Sequence, residues 1–438
     1  MTDPSPPLDR EQPQAVEREQ AQAPPEPHLA PIRASRAAVT VALLFAGCFV
    51  LSLRHPIAAS DGRSNLYAYQ AQAFLHGRLD VDPTLYDSAR FQGRAFVPFP
   101  PLPAVVLMPA VALLGVQRTN SALLAVVLTL LNIVVAQRLL KRLGLSADDR
   151  IWVILGFFLG TGYWSIVDAS FTVWFWAQVV AVTCLLAAVA EAWGRGRGQW
   201  VGAALAGAFL SRQMTILAAV ALAWRLWRHP DFPTRARRWR NLALFAAPIG
   251  VGLAAYLGFN AARFGNPFDT GYGYIPFTDF FRERQLRHGL FSAAYLPFNL
   301  LYLLFQGFHV DFHSPTRLSG ITADFFGTSL LAASPFVVLA VFAARAHGEV
   351  RALWVSVLAI AVNQLFYLNN GASQINTQRF TLDFLPLLLV LIAMGMRREA
   401  ARQRAGLWRG CIIYAALLNA LILVLLPALE PAFKALEK

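Results

Sequence analysis

The hydrophobic and polar positions along this chain separate into long apolar blocks divided by short polar, often arginine-bearing, connections. Apolar runs long enough for a helix to cross a bilayer, about 17–25 residues, lie near 36–54, 120–140, 151–167, 171–193, 241–263, 323–344, 351–368, 381–396 and 410–427. A further stretch, 199–227, is apolar but broken by Ser211-Arg212-Gln213, and reads as two short helices meeting at an exposed turn. The run 102–115, preceded by Pro98, Pro100 and Pro101, reads as a re-entrant or interfacial helix that does not cross. The pattern therefore predicts an all-α polytopic membrane protein with about eleven transmembrane helices.

The arginines orient it. Arg138, Lys141, Arg142 and Arg150 flank one connection, and Arg195 and Arg197 another. Arg225 to Arg240 precede the 241–263 run, and Arg397 to Arg409 precede the last one. Cytoplasmic loops collect Lys and Arg, so these connections and the N-terminus are expected inside. The outer loops are then 55–119, 167–171, 211–213, 264–322 and 369–380, and the first and fourth are long. In the first, Tyr67, Ala71, Phe74 and Leu75 recur at helical spacing, which predicts a short amphipathic helix parallel to the membrane. The fourth is dense in aromatic residues, as suits a surface in the headgroup layer. Residues 1–33 are rich in Pro, Gln, Glu and Ala and read as a disordered cytoplasmic tail, while 398–438 hold a cytoplasmic loop, the last span and a short outer tail.

Composition agrees. Of 438 residues, 56% are hydrophobic and 14% charged, against about 25% charged in a soluble domain. The net charge of +13 fits basic cytoplasmic loops and anionic headgroups rather than nucleic acid. Cys48, Cys184 and Cys411 lie inside apolar runs and suit neither a disulfide framework nor a metal set. No nucleotide-binding motif appears, so whatever binds comes from the membrane or the outer side.

The polar residues that could carry chemistry fall at helix ends. Asp61, at the outer end of the first run, can cap the following helix or act as a partly desolvated general base, and the two roles are compatible. Asp168 in the second outer loop can cap a helix or contact substrate. Arg212 can hold a phosphate or snorkel to headgroups. Arg379 and Asp383, spaced i,i+4, can form a structural ion pair, or Arg379 can clamp a phosphate with Asp383 behind it. Asp80 and Asp82 read as turn residues.

The segments NLYAYQAQAFLHGRLDV, GRAFVPFPPLPAVVLMPAVALLG, RFGNPFDTGYGY and QINTQRFTLDFLP, in this order after Asp61, resemble the GT-C superfamily of membrane glycosyltransferases over roughly 34–397. The resemblance is to the bacterial protein O-mannosyltransferase and lipid A aminoarabinose transferase type. It implies a GT-C-like bundle, and transfer of a sugar from a polyprenyl-phosphate carrier to a glycan, lipid or protein acceptor on the outer face, with inversion. It assigns catalysis to Asp61 and Asp168 and donor-phosphate binding to Arg379 and Arg212. Arg63, Gln374, Gln378, Asp383, Tyr272 and Tyr274 are the expected supports. Gly62 stands where many members carry a second acid, so a divalent metal has no support in the sequence. A flippase or polysaccharide polymerase shares the composition. A secondary transporter would place ionisable groups at mid-depth, where this chain has few.

Overall fold

The computed structural model describes residues 65–425, apart from 83, 84, 86, 315, 316, 323, 325, 345, 346 and 372–377. Asp61, Arg63, Gln374, the first apolar run and the N-terminal tail lie outside the described residues.

The chain is mostly helical. Four described helices are long and apolar enough to cross a membrane: Ser121–Arg142, Val173–Ala192, Arg235–Phe264 and Ala405–Val424. Their ends follow from local chemistry. Asn120 caps the first through its side-chain oxygen, which accepts from the Leu123 amide at 3.0 Å. Thr234 caps the third, which ends on Gly265 in the left-handed region at φ 74, a conformation glycine adopts without steric cost. Ser146 accepts from the Asp149 amide and donates to its carboxylate, opening the helix Ala147–Leu159.

The core is formed where these helices meet. The helix Val173–Ala192 is buried over most of its circumference, as expected of a helix apolar all round. The helix Gly198–Phe209 lies against Arg235–Phe264 through Gly198 and Gly202, where an added Cβ would collide with the backbone of Asn241 and Phe245. This is the small-residue spacing that lets membrane helices approach closely.

Several sequence expectations change. The 323–344 run is not one α-helix. It folds as Leu330–Ala333 followed by a 3-10 segment, Pro335–Phe342, with Pro335 opening the second piece. The helix break at Gly160–Gly162 is satisfied from neighbouring elements: Ser334 donates to the Gly160 carbonyl at 2.6 Å, and Asn419 donates to those of Leu159 and Thr161. Leu102–Leu114 is a 13-residue helix, shorter than a bilayer crossing requires. The helix predicted near Tyr67 is present as Leu66–Leu75, but Leu66, Tyr67, Ala68, Gln70, Ala71 and Ala73 are all buried. It is packed into the body instead of lying on a surface.

The expectation of an all-α chain needs a second correction. Asp80–Val81, Ala89–Phe91 and Arg94–Phe96 form a three-stranded antiparallel sheet with Arg94–Phe96 in the middle. Asp80 is thus a strand residue, paired with Arg78. The tight turn Phe91-Gln92-Gly93-Arg94 has positive φ at Gln92 (47) and Gly93 (74), as a two-residue hairpin of the primed type demands. The sheet packs on Phe264 and Ile275. A second antiparallel pair joins His309–Ser314 to Arg317–Thr322.

Candidate active site

A cavity of about 810 Å³ opens between the first-loop segment, the break in the 199–227 stretch, the helix Arg235–Phe264 and the 3-10 turn Arg379–Asp383. Its polar lining gathers around Phe380. The Arg212 guanidinium stands 4.6 Å from that ring centroid and the Arg379 guanidinium 5.1 Å from it. The expected exposed turn at Ser211-Arg212-Gln213 is therefore an inward one: Ser211 is buried and Arg212 faces the cavity.

Arg212 and Asp383 form a bidentate ion pair, with Nε to Oδ1 at 3.0 Å and a terminal nitrogen to Oδ2 at 2.8 Å. Gln364 donates to the same Oδ2 at 3.1 Å and to the Phe380 carbonyl at 2.9 Å. Asp383 is 2% exposed, and a buried carboxylate needs such company. The i,i+4 pairing of Arg379 with Asp383 is not what the structure contains. Residues 379–383 form a 3-10 helix, in which i and i+3 eclipse and i+4 turns away, so Asp383 meets Arg212 across the fold.

Arg379 is fixed from several sides. Its Nε donates to the Gly371 carbonyl at 3.0 Å, its own carbonyl accepts from Gln178 at 2.8 Å, and its guanidinium lies 5.0 Å from the Phe175 ring centroid. Burial, then the neighbouring Arg212, push its pKa down to about 9, which leaves it charged at neutral pH.

Asp87 completes the charged lining and escaped the sequence reading. It follows Pro83 in the sequence with no local signal to separate it from Asp80 and Asp82. Burial pushes its carboxyl up to about 6, while Arg379 pulls the other way. Its backbone is left-handed, at φ 61, which is uncommon outside glycine, though Asp and Asn tolerate it best. Gln364 was also missed; a lone amide near the end of the 351–368 run was its available signal.

The apolar lining gathers around Phe326, whose ring centroid is 5.0 Å from that of Phe280 and 6.3 Å from that of Phe281. The fourth-loop residues Phe280 and Phe281 thus pack against Phe326 and wall the cavity. Phe268 and Phe291 also line it and are 79% and 52% exposed, so its mouth is apolar.

The other sequence candidates are placed as follows. Tyr272 lines the cavity and meets Phe99 edge to face at 5.7 Å. Tyr274 packs behind it against Phe91 at 4.8 Å and donates to Asp269 at 2.7 Å. Gln378 donates to the Phe326 carbonyl at 2.8 Å, holding that wall residue. Asp168 ends the helix Tyr163–Asp168 and is not among the lining residues. Tyr67, fully buried in the sheltered first-loop helix, also lines the cavity. Among the described residues no three His, Cys, Asp or Glu side chains converge to hold a metal ion.

No protein-family model matches the chain, and the comparison with curated proteins finds no match. Among solved structures, the chain is similar to ArnT from Cupriavidus metallidurans bound to undecaprenyl phosphate, at 17% identity and a TM-score of 0.45, over 84% of this chain and 62% of that one. The apo state of the same protein gives 17% and 0.43, over 84% and 60%. The apo oligosaccharyltransferase of Archaeoglobus fulgidus gives 14% and 0.46, over 88% of this chain and 54% of that one. The chain spans less than two thirds of the length of each.

Proposed function

We propose that this chain is a membrane glycosyltransferase of the GT-C type that takes a sugar from a polyprenyl-phosphate carrier. One observation carries the reading: a single cavity joins a pair of inward guanidinium groups to an aromatic wall with an apolar, exposed mouth. Guanidinium matches phosphate in shape and charge, and an apolar mouth suits the isoprenoid tail that follows the phosphate.

In the proposed reaction an acceptor hydroxyl or amine attacks the anomeric carbon. The carbon–oxygen bond to phosphate breaks, and the phosphate leaves with the electron pair. The acceptor proton goes to Asp61. Arg379 stabilises the leaving phosphate, because a preorganised cation acts most strongly in a water-poor site. Arg212, already engaged by Asp383, contributes as a fixed partner whose position the ion pair sets. Inversion, the outer-face location and the inner membrane with a cytoplasmic N-terminus belong to the same proposal.

The test is binding of undecaprenyl phosphate to purified protein in lipid nanodiscs. Arg379→Lys replaces a planar fork by a point charge and is expected to weaken binding by about tenfold or more, roughly the loss of one charge-assisted hydrogen bond. Unchanged affinity in a folded variant would remove Arg379 from the phosphate site.

A further inference from the structure

Among the described residues, the formally charged side chains lining the cavity are Asp87, Arg212, Arg379 and Asp383. Arg212 and Asp383 neutralise each other in their bidentate pair. The balance that a ligand meets is therefore set by Arg379 and Asp87. Among the described residues, Arg379 is the charged group whose interaction with Asp87 the structure records. With Asp87 ionised, these four described side chains sum to zero.

The donor and the product of the proposed reaction differ in charge. A sugar linked to polyprenyl phosphate is a phosphodiester and carries one negative charge. The carrier released after transfer is a phosphomonoester, whose second ionisation falls near pH 6, so it carries close to two. Arg379 can offset the first charge; among the described residues no further cation outside the Arg212–Asp383 pair lines the cavity to offset the second, which Asp87 repels.

We propose that Asp87 is a specificity-determining residue: its carboxylate lets the cavity hold a singly charged phosphodiester donor and disfavour the doubly charged phosphomonoester product. The proposal rests on the donor-site reading above and deepens it. Two observations carry it. Asp87 shares the cavity and the charge of Arg379, the cation that the proposed function gives to phosphate. It also holds a left-handed backbone conformation, the kind of local cost that persists where the surroundings enforce a side-chain placement. The consequence is product release. A site that bound the monoester as well as the diester would be filled by its own product. One additional like-charge contact across about 10 Å at an effective dielectric near 20 corresponds to roughly tenfold in affinity.

The experiment measures binding of two probes, undecaprenyl phosphate and its methyl phosphodiester, to the parent, Asp87→Asn and Asp87→Glu in nanodiscs at pH 7.5. Asn suits the left-handed backbone as well as Asp does, so the variant removes charge and keeps shape. The parent is expected to bind the diester at least as tightly as the monoester. Asp87→Asn is expected to shift the affinity ratio about tenfold toward the monoester, chiefly by binding the monoester more tightly, and Asp87→Glu to keep the parental ratio. A residue that only shaped the loop would shift both affinities together and leave their ratio unchanged. Both lipids binding with the same ratio in the parent and Asp87→Asn would overturn the inference while leaving the donor site intact. Neither lipid binding the parent would overturn the donor-site reading, and the inference with it.

Discussion

At the scale of single residues, Asp383 shows how a charge can be structural and still shape a site. It was legible as a polar residue at a helix mouth, but its partner was not. Its ion pair with Arg212 spans 171 positions of sequence, and nothing in local spacing signals such a contact. The same limit hid Asp87, whose interest comes only from what the fold brings beside it. Arg212 and Arg379 were legible because an isolated arginine at the edge of an apolar run is costly and needs a reason. Asp383→Asn keeps the shape but leaves Arg212, 21% exposed at its side chain, without its counter-charge. Breaking one side of a buried pair typically costs about 3–5 kcal/mol, so the variant is expected to melt well below the parent in detergent. Equal melting would mean that the pair does not hold the two segments together, and that Arg212 is available to ligand.

At the scale of elements, hydropathy located the long helices because a bilayer forces one solution on an apolar run. Ser121–Arg142, Val173–Ala192 and Arg235–Phe264 fall close to the runs that predicted them. It failed where backbone groups are satisfied by neighbours instead of within the helix, as in the broken segment 330–342 with Ser334 bonded to Gly160. It failed again where short strands hide in a proline-rich loop. The pattern Ala89-Arg-Phe-Gln-Gly-Arg-Ala-Phe96 is a hairpin signal in retrospect, a turn with glycine between alternating side chains. Glycine also sets the helix contact that positions Arg212: Gly202 lies against Phe245 with no room for a side chain. Gly202→Val must push the helix Gly198–Phe209 away from its neighbour or strain both. A destabilisation of about 1–3 kcal/mol is expected from such overpacking, read as a lower thermal midpoint together with weaker undecaprenyl phosphate binding, since Ser211 and Arg212 follow that helix. A variant with parental melting and parental binding would show that this contact does not position the cavity.

At the scale of the whole molecule, the account joins long apolar helices, loop segments rich in aromatics and an inward set of charges into one proposed site for a lipid-linked phosphate. Its central claim is chemical: a sugar leaves that phosphate. The most direct measurement is turnover. Purified protein in lipid nanodiscs is given a panel of undecaprenyl-phosphate-linked sugars together with membrane lipid and glycan acceptors, and formation of undecaprenyl phosphate is followed. The account predicts that one donor of the panel is converted in an acceptor-dependent way. It also predicts that Asp61→Asn slows that conversion by roughly 10²–10⁴-fold, the usual effect of removing a general base, while donor binding persists. Undecaprenyl phosphate binding to the parent with no donor of the panel converted would contradict it, and would make the cavity a lipid-carrier binding site rather than the centre of a transferase.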